Sequence, residues 1–342
     1  MSGRIVCLTP TRVRSLRRSL LSWYDENRRD LPWRRDRDPY RVWVSEIMLQ
    51  QTRVAAVLDH YARFLRRFPT VHSLARAREA SVLTLWSGLG YYHRARRMHQ
   101  AARLIVRQRK GGFPQTAEEW SELPGIGRYT ANAIASIAFG EAVAVVDGNV
   151  ERVLARLFGG SRGRESAWQQ AAVLLDRKRP GDFNQAMMEL GATICTPRSP
   201  QCLICPLNRF CHSRGGEPSR PQAARHRKQL SYALAQKGSQ VLLVRRPADS
   251  SLMAGMWELP ELDPARIHGA LPLLRLRHSI TDTQYRVAVF VIAADHIQHG
   301  ANQVRWATRK RWEQLPLTGL ARKILQRLPD ASRDGTEESK CH

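Results

Sequence analysis

The sequence predicts two domains, a mainly helical N-terminal domain followed by a smaller α+β domain. In the first part, up to about Arg209, apolar residues recur at the three- and four-residue spacing of amphipathic helices. A polar, basic stretch broken by Gly and Pro follows at 213–228 and is typical of a linker. Beyond it the apolar period shifts to two, which indicates strands.

The element boundaries follow from the same patterns, and we expect domains at 12–212 and 229–330. Gly and Pro occur where helices should end: Gly111-Gly112, Pro124-Gly125, Gly159-Gly160 and Pro180-Gly181. Short β-rich runs predict three strands at Leu230–Ala235, Val241–Val244 and Tyr285–Ile292. Lys237-Gly238 predicts a turn, Leu317–Leu328 predicts a helix, and the polar tail 331–342 is expected to be disordered.

Charge indicates the partner. The 342 residues carry 55 Lys and Arg against 30 Asp and Glu, a formal net charge of +25. Such an excess favours a nucleic acid, whose binding should weaken steeply with salt. No apolar run is long enough to cross a bilayer, and the N-terminus lacks the order of a signal peptide. We therefore expect a cytoplasmic, nucleoid-associated protein.

Four of the six cysteines lie within seventeen residues, with six, two and five residues between them: Cys195, Cys202, Cys205 and Cys211. In a reducing compartment this cluster predicts metal or iron–sulfur ligation instead of disulfides. Four thiolates suit tetrahedral zinc or a [4Fe–4S] cube, and the spacing alone does not choose. Cys7 and Cys341 are expected to be free thiols.

A second motif, Leu123-Pro124-Gly125-Ile126-Gly127-Arg128-Tyr129-Thr130, predicts a tight turn between two helices. The free N–H groups of the second helix could bind a phosphate of DNA. An ordinary helical corner remains the alternative. Shortly afterwards, Asp147 follows an apolar run, where it could cap the next helix and present a carboxylate to a reacting sugar.

A third motif runs from Asp38 to Val54 and predicts one helix. Helical spacing places Arg41, Ser45 and Thr52 roughly with Glu46 and Arg53 on one polar face. Periodicity alone favours a solvated Glu46. Burial among its apolar sequence neighbours would instead raise the pKa of Glu46 and make it a general acid.

Together these motifs resemble those of the helix-hairpin-helix DNA glycosylases, specifically the MutY family of adenine glycosylases. The resemblance covers nearly the whole chain and extends to further segments: Leu31-Pro32-Trp33-Arg34, Gln50-Gln51-Thr52-Arg53, Gly88-Leu89-Gly90-Tyr91-Tyr92 and Phe183-Asn184-Gln185-Ala186. It implies a helix-hairpin-helix domain with a [4Fe–4S] cofactor on the cysteine loop, followed by a Nudix-like domain.

The resemblance also assigns roles. Glu46 would protonate the leaving adenine, and Asp147 would stabilise the cationic sugar, with support from Tyr129 and Asn149. The extruded base would enter a pocket lined by Leu31, Trp33, Arg34, Leu49 and Gln185. Gln51 and Tyr91 would enter the duplex. Contacts to DNA would also come from Gly125, Gly127 and Thr281. The partner would be double-stranded DNA with adenine opposite 8-oxoguanine or guanine, bound by a monomer.

Three features of the sequence refine these expectations. Tyr129 stands where the endonuclease III relatives carry a lysine that forms a Schiff base, so we expect a monofunctional glycosylase without efficient lyase activity. The Nudix glutamate cluster is absent from the sequence, and Ile280-Thr281-Asp282 replaces the family's Phe-Ser-His tripeptide. Pyrophosphohydrolase activity is therefore not expected, and recognition of 8-oxoguanine is less secure than adenine excision.

Two other functions remain open at this point. One is a glycosylase of the same superfamily that acts on mismatched thymine or on oxidised pyrimidines. The other is a non-catalytic iron–sulfur protein that only binds DNA. The presence of both Glu46 and Asp147 weighs against the non-catalytic protein. Gln185 and the segment around Trp33 weigh against the pyrimidine enzymes.

Overall fold

The structure is a computed structural model, and it describes residues 9–159, 163–214, 226–247, 249–250, 253–263, 267, 270–280, 283–297 and 303–328. Within these residues, two compact units form, one from 9–76 and 97–214 and the other from 77–96 and 226–328. The predictions for Thr281, Cys7, Cys341, the tail and most of the linker lie outside the described residues.

The first unit is helical, as predicted. Its helices are α1 Pro10–Asn27, α2 Pro39–Leu49, α3 Val54–Arg67, α4 Val71–Ala75, most of α6 His93–Arg109, α7 Ala117–Ser121, α8 Arg128–Ala138, α9 Gly148–Phe158, α10 Arg164–Leu174 and α11 Pro180–Thr193. Local sequence explains where many of them begin. Thr9, Asp38 and Thr116 cap α1, α2 and α7 with their side chains, and proline opens α1, α2 and α11.

The core of this unit brings together α1, α9 and α11, whose apolar stripes bury residues such as Leu16, Leu154 and Leu190. Two glycines of α11 allow close helix packing. A Cβ added at Gly191 would lie 2.7 Å from the Cβ of Asn149, and one at Gly181 would lie 2.6 Å from the carbonyl oxygen of Ser136. Since real side chains do not tolerate such distances, these glycines let α11 approach α9 and α8.

The second unit contains α5 Glu79–Trp86, two sheets and two short helices, α12 Arg309–Trp312 and α13 Gly319–Leu325. Its strands are β1 His226–Leu234, β2 Gln236–Lys237, β3 Gln240–Arg245, β4 Trp257–Glu258, β5 Leu274–Ile280, β6 Thr283–Val291 and β7 Val304–Thr308. One sheet has the order β1-β6-β5, with β1 parallel and β5 antiparallel to β6. In the other, β3 pairs antiparallel with β2, β4 and β7.

The structure confirms the α+β class predicted for this second unit. The three predicted strands correspond to β1, β3 and β6, the predicted turn at Lys237-Gly238 joins β2 to β3, and the predicted C-terminal helix is α13. The sheets and α13 share a core that includes Leu243, Val289 and Ile324, each fully buried. Across the part of the chain that the structure describes, every helix is too short or too polar to span a bilayer.

Candidate active site

A cavity of about 190 Å³ opens within the first unit, among α2, α8, α9, α11 and the short 3-10 helix Pro32–Arg34. Nine of the residues predicted for the site line it: Leu31, Trp33, Arg34, Glu46, Leu49, Tyr129, Asp147, Asn149 and Gln185. These residues are up to 154 positions apart in sequence, from Leu31 to Gln185. The tertiary fold therefore brings together site residues that the sequence analysis identified individually.

Glu46 lies on α2 and is almost fully buried, with 6% of its surface exposed. Burial raises its pKa from 4.5 to about 7, because the charged form loses its hydration. The nearby Asp147 adds to the rise. The hydroxyl of Tyr129 donates a 3.1 Å hydrogen bond to Glu46 Oε2 and opposes it, as does the charge of Arg34. A carboxyl with this pKa can hold a proton near neutral pH and donate it as a general acid.

Asp147 caps α9 and is held by three hydrogen bonds. Its Oδ1 accepts from the backbone N–H groups of Asn149 and Val150 at 2.9 and 2.7 Å, and its Oδ2 accepts from Asn149 Nδ2 at 2.9 Å. The cap and the predicted catalytic carboxylate are thus one and the same group, and α9 fixes its direction.

A buried arginine supports Asn149 from behind. Arg152 Nη2 donates to Asn149 Oδ1 at 2.9 Å and to the carbonyl of Gly191 at 2.6 Å, and Arg152 Nε donates to the carbonyl of Cys195 at 2.8 Å. A guanidinium has several donors in a fixed plane, so it can bridge groups on three segments. Arg152 therefore connects the Asp147 end of the cavity to the cysteine loop.

The cavity also contains an ion-pair cluster that our sequence analysis missed. Glu189 on α11 is 1% exposed, and it accepts from Arg29 Nε at 2.6 Å and from Arg34 Nη2 at 2.9 Å. Burial raises the pKa of Glu189, but the two arginines outweigh it and bring the pKa down to about 2. Arg29 and Glu189 both line the cavity. The sequence offered one indication of this cluster: Arg29 and Glu189 lie within four positions of the predicted site residues Leu31 and Gln185.

The predicted turn between two helices joins α7 to α8. Gly125 adopts φ of +81°, and a Cβ there would lie 2.6 Å from the Cβ of Arg97. Gly127 precedes α8 without a side-chain cap. The exposed start of an 11-residue helix therefore keeps N–H groups that no side chain caps. The same helix carries Tyr129 into the cavity, where its hydroxyl meets the buried carboxyl of Glu46 on α2.

The two residues predicted to enter the duplex do not line the cavity. Gln51 is exposed and follows α2, and Tyr91 is half-buried in the second unit. Both adopt left-handed backbone conformations, with φ of 55° for Gln51 and 47° for Tyr91. Non-glycine residues rarely do so, and such strain is concentrated at functional positions.

One expectation of the sequence analysis is wrong. The segment Asp38 to Val54 is not one helix, because α2 ends at Leu49 and α3 begins at Val54. The expected polar face is also not formed, since Ser45 and Glu46 are buried while Arg41 is exposed and pairs with Asp36. Every residue of α2 from Val42 to Met48 is buried. Packing on all sides of this helix removed the solvated face that periodicity favoured.

The four clustered cysteines line one small cavity, together with the buried Arg156. Among the described residues no group of three or more His, Cys, Asp or Glu side chains is arranged to hold a single metal ion. Burial raises the pKa of Cys205 to about 11, and the other three cysteines add to the rise. Arg156 Nη1 lies 3.3 Å from Cys195 Sγ, so it offers a donor and a positive charge to the thiolates. This donor set, with one guanidinium beside it, fits a thiolate-bound iron–sulfur group.

Comparisons with known proteins agree with this geometry. Residues 44–175 match the model of the HhH-GPD superfamily of base excision DNA repair proteins, residues 195–211 match the iron–sulfur binding domain of endonuclease III, and residues 231–327 match a NUDIX domain. The "Adenine DNA glycosylase" of Mus musculus is 38% identical, over 95% of this chain and 80% of that protein. The chain belongs to the adenine DNA glycosylase family.

Other comparisons find a further relative of the same name and solved structures with the same fold. The "Adenine DNA glycosylase" of Homo sapiens is 40% identical over 78% of this chain and 63% of its own length. Among solved structures, a thermostable thymine-DNA glycosylase shares 29% identity with a TM-score of 0.57, over 61% of this chain and 99% of that one. An endonuclease III–DNA complex, at 23% identity and a TM-score of 0.53, shares the fold over 61% of this chain.

Membership of the family establishes the type of reaction and the class of substrate and cofactor. This glycosylase is a DNA N-glycosylase of base excision repair, its substrate is DNA, and its cysteine loop binds an iron–sulfur cluster. The predicted fold class, a helical helix-hairpin-helix domain followed by a smaller Nudix-like domain, is confirmed. The cysteine spacing left open whether the loop binds zinc or an iron–sulfur cluster. The match to the iron–sulfur binding domain of endonuclease III favours the iron–sulfur cluster.

Proposed function

We propose that this chain hydrolyses the N-glycosidic bond of adenine opposite 8-oxoguanine or guanine, as a monofunctional enzyme. The observation that carries the proposal is the pair of carboxyl groups in one cavity with opposite environments. Glu46 is buried and has a pKa of about 7, whereas Asp147 accepts three hydrogen bonds that hold its carboxyl group in place at the start of α9. A reaction that needs a proton donor and a second carboxyl group beside the sugar has both here.

In this mechanism, the neutral Glu46 gives its proton to a ring nitrogen of adenine, N7 in the proposed geometry. The glycosidic electron pair then leaves with the base, and an oxocarbenium-like sugar develops. Asp147 stabilises that cation. Water then adds to the sugar carbon and gives one proton to the Glu46 carboxylate, which leaves an abasic site and restores the neutral acid. Tyr129 and Asn149 hold the two carboxyl groups by the hydrogen bonds described above.

The cavity wall is suited to a flat, polar-edged base. Leu31, Trp33 and Leu49 provide apolar surface, and Gln185 can both donate to and accept from an adenine edge. Glu189 adds an acceptor that stays charged, because two arginines hold its pKa near 2. An exocyclic amino group donates to such an acceptor, whereas a carbonyl at the same place is repelled, which favours adenine over thymine.

The monofunctional proposal rests on the same cavity. A lyase reaction needs an amine that forms a Schiff base with the opened sugar. None of the residues lining the described cavity is a lysine, and the residue beside Glu46 is Tyr129, which has no amine. We therefore propose that this glycosylase leaves the abasic strand uncut.

For the cofactor, we propose a [4Fe–4S] cluster held by Cys195, Cys202, Cys205 and Cys211. Such a cluster would cross-link the loop and neutralise thiolates that otherwise repel one another. Purified protein should then contain four iron and four sulfide per chain and absorb broadly in the visible range. A colourless protein loaded with zinc would contradict this proposal.

The proposal also covers how the enzyme recognises the base opposite adenine and that it acts as a monomer. Recognition of 8-oxoguanine is assigned to the loop around Thr281, which lies outside the described residues, and a monomer is proposed to bind the duplex. Gly125 and Gly127 would let the start of α8 approach a phosphate. Gln51 and Tyr91 would enter the duplex near the extruded adenine.

A second candidate is excision of mismatched thymine, which the likeness to a thermostable thymine-DNA glycosylase favours. The test is single-turnover cleavage of labelled duplexes, with alkali added afterwards to reveal abasic sites. Adenine opposite 8-oxoguanine, guanine or thymine is compared with thymine opposite guanine. Fast alkali-dependent cleavage at adenine supports the proposal, whereas cleavage at thymine alone defeats it. Cleavage without alkali would contradict the monofunctional assignment.

A further inference from the structure

One segment belongs to the glycosylase part of the sequence but is built into the other unit. Residues 77–96 lie inside the 44–175 match to the base excision repair superfamily. In the structure their contacts place them with 226–328, the unit that contains the Nudix-like domain. The segment comprises α5 and the loop Gly88-Leu89-Gly90-Tyr91-Tyr92. The loop that carries Tyr91 is therefore supported by the C-terminal domain.

The loop is attached to the C-terminal domain by hydrogen bonds to the segment that leads into α13 and to α13 itself. Ser87 Oγ and Tyr92 Oη both donate to the carbonyl oxygen of Leu317, at 3.0 and 3.1 Å. Arg322 Nε, on α13, donates to Ser87 Oγ at 2.9 Å. Ser87, Tyr92 and Leu317 are all less than 7% exposed. Buried hydrogen bonds of this kind are costly to lose, because water does not replace the missing partner. They fix both ends of the loop, at 87 and at 92.

The loop between these two fixed ends is held in an unusual conformation. Tyr91 has φ of 47°, and two glycines before it, Gly88 and Gly90, have φ of 110° and 71°. The buried Arg94 donates to the carbonyls of Leu89 and Gly90, both at 3.2 Å, and its guanidinium lies 5.5 Å from the centre of the Tyr91 ring. A left-handed backbone is sterically unfavourable for tyrosine, because its Cβ crowds the following carbonyl oxygen. The surrounding contacts must therefore hold Tyr91 in this conformation.

We propose that Ser87, Tyr92 and Arg322 are positioning residues, through which the C-terminal domain holds Tyr91 in its strained conformation before DNA binds. This inference rests on the proposed role of Tyr91 in entering the duplex. It gives the Nudix-like domain a second task besides reading the opposite base. A side chain that is already in place enters the duplex without a further ordering cost, so the held loop speeds base extrusion.

The test is a double-mutant cycle in the full-length, cluster-loaded protein. Arg322→Met is made alone and in a Tyr91→Ala background, and single-turnover adenine release is measured. Lys323→Met is the matched control, because it removes one positive charge from the same helix and breaks a bond to the carbonyl of Arg277 instead. A second variant, Ser87→Ala combined with Tyr92→Phe, removes the donors to Leu317 and keeps the helix charge. Circular dichroism and cluster absorbance verify each fold.

We expect Arg322→Met and the Ser87/Tyr92 double variant to slow adenine release about tenfold, in line with the loss of a buried charged or shared hydrogen bond. In the Tyr91→Ala background the same changes should have less than about a twofold effect, because two residues that act as one unit are not additive. The positioning role is wrong if both variants behave like Lys323→Met. It is also wrong if they slow the reaction equally in both backgrounds, which would indicate a general structural role.

A second readout separates this inference from the proposed function. The fluorescence of 2-aminopurine next to the mispair rises when bases unstack, and it does not depend on bond cleavage. If the unaltered protein releases no adenine, the proposed function fails. The positioning role then still stands if the fluorescence rise slows in Arg322→Met only when Tyr91 is present, and it falls if the rise is unchanged.

Discussion

Replacing Glu46 by Gln should abolish activity and stabilise the folded protein above neutral pH. The carboxyl is 6% exposed, and burial moves its pKa from 4.5 to about 7. Between these two values the folded state binds a proton that the unfolded state does not. Stability therefore falls as the pH rises from about 4.5 to about 7, and it stays reduced above that range.

The size of the effect follows from the shift. One pKa unit corresponds to about 1.4 kcal/mol, so a rise from 4.5 to about 7 corresponds to at most about 3 kcal/mol at pH 8. Gln has nearly the shape of Glu, and its amide oxygen can still accept from Tyr129. It cannot ionise, so it avoids the cost of a buried charge. The variant loses the proton donor, which typically contributes a factor of 10²–10⁴ to the rate.

The assay is thermal unfolding at pH 5 and pH 8, combined with single-turnover adenine release. At pH 8 the Glu46→Gln midpoint should exceed that of the unaltered protein by up to roughly 6 °C, and at pH 5 the two should nearly coincide. Glu118→Gln is the control, because it makes the same charge change at an exposed position on α7. An equal stabilisation in both variants, or none in Glu46→Gln, would refute the burial argument. Adenine release at the native rate would refute the acid assignment.

Three further outcomes are expected. Tyr129→Phe removes a hydrogen bond that lowers the pKa of Glu46, so the pH–rate profile should shift to higher pH. The control is Tyr40→Phe, which removes a hydroxyl that donates to the carbonyl of Phe68 and should leave the profile unchanged. Arg152→Met should slow excision about tenfold or more, because Asn149 loses a charged donor; an unchanged rate with an intact cluster would contradict this. Gly191→Ala should destabilise by about 1–3 kcal/mol in denaturant unfolding, whereas Gly148→Ala, with open space at its Cβ, should not.

Local chemistry made much of the fold predictable. The β-rich runs, the turn at Lys237-Gly238 and the helix cap at Asp147 each depend on a few neighbouring residues, and the structure has them where the sequence placed them. The long segment from Asp38 to Val54 was the exception. Its chain breaks into two helices at Gln50–Arg53, where Gln51 adopts a left-handed conformation that no helical period indicates.

Burial was the property that the sequence could not supply. Apolar neighbours in sequence left Glu46 open to two interpretations, a solvated surface group or a buried acid. The structure decides between them, because Glu46 is buried beside Tyr129 of α8 and loses its hydration. The pairing of Glu189 with Arg29 and Arg34 was not foreseen for the same reason, since these partners are about 155 to 160 residues apart.

By itself, the sequence determined the classes of residue and the chemistry available to them: two carboxyl groups, four clustered thiols, a glycine turn before Tyr129 and an excess of positive charge that suits DNA. Tertiary structure alone decided which carboxyl is buried deeply enough to have a raised pKa and which partners surround each one. It also decided that the Tyr91 loop is held by the C-terminal domain. The reason is physical: residue type and spacing are local, whereas desolvation and hydrogen-bond partners depend on contacts between distant parts of the chain.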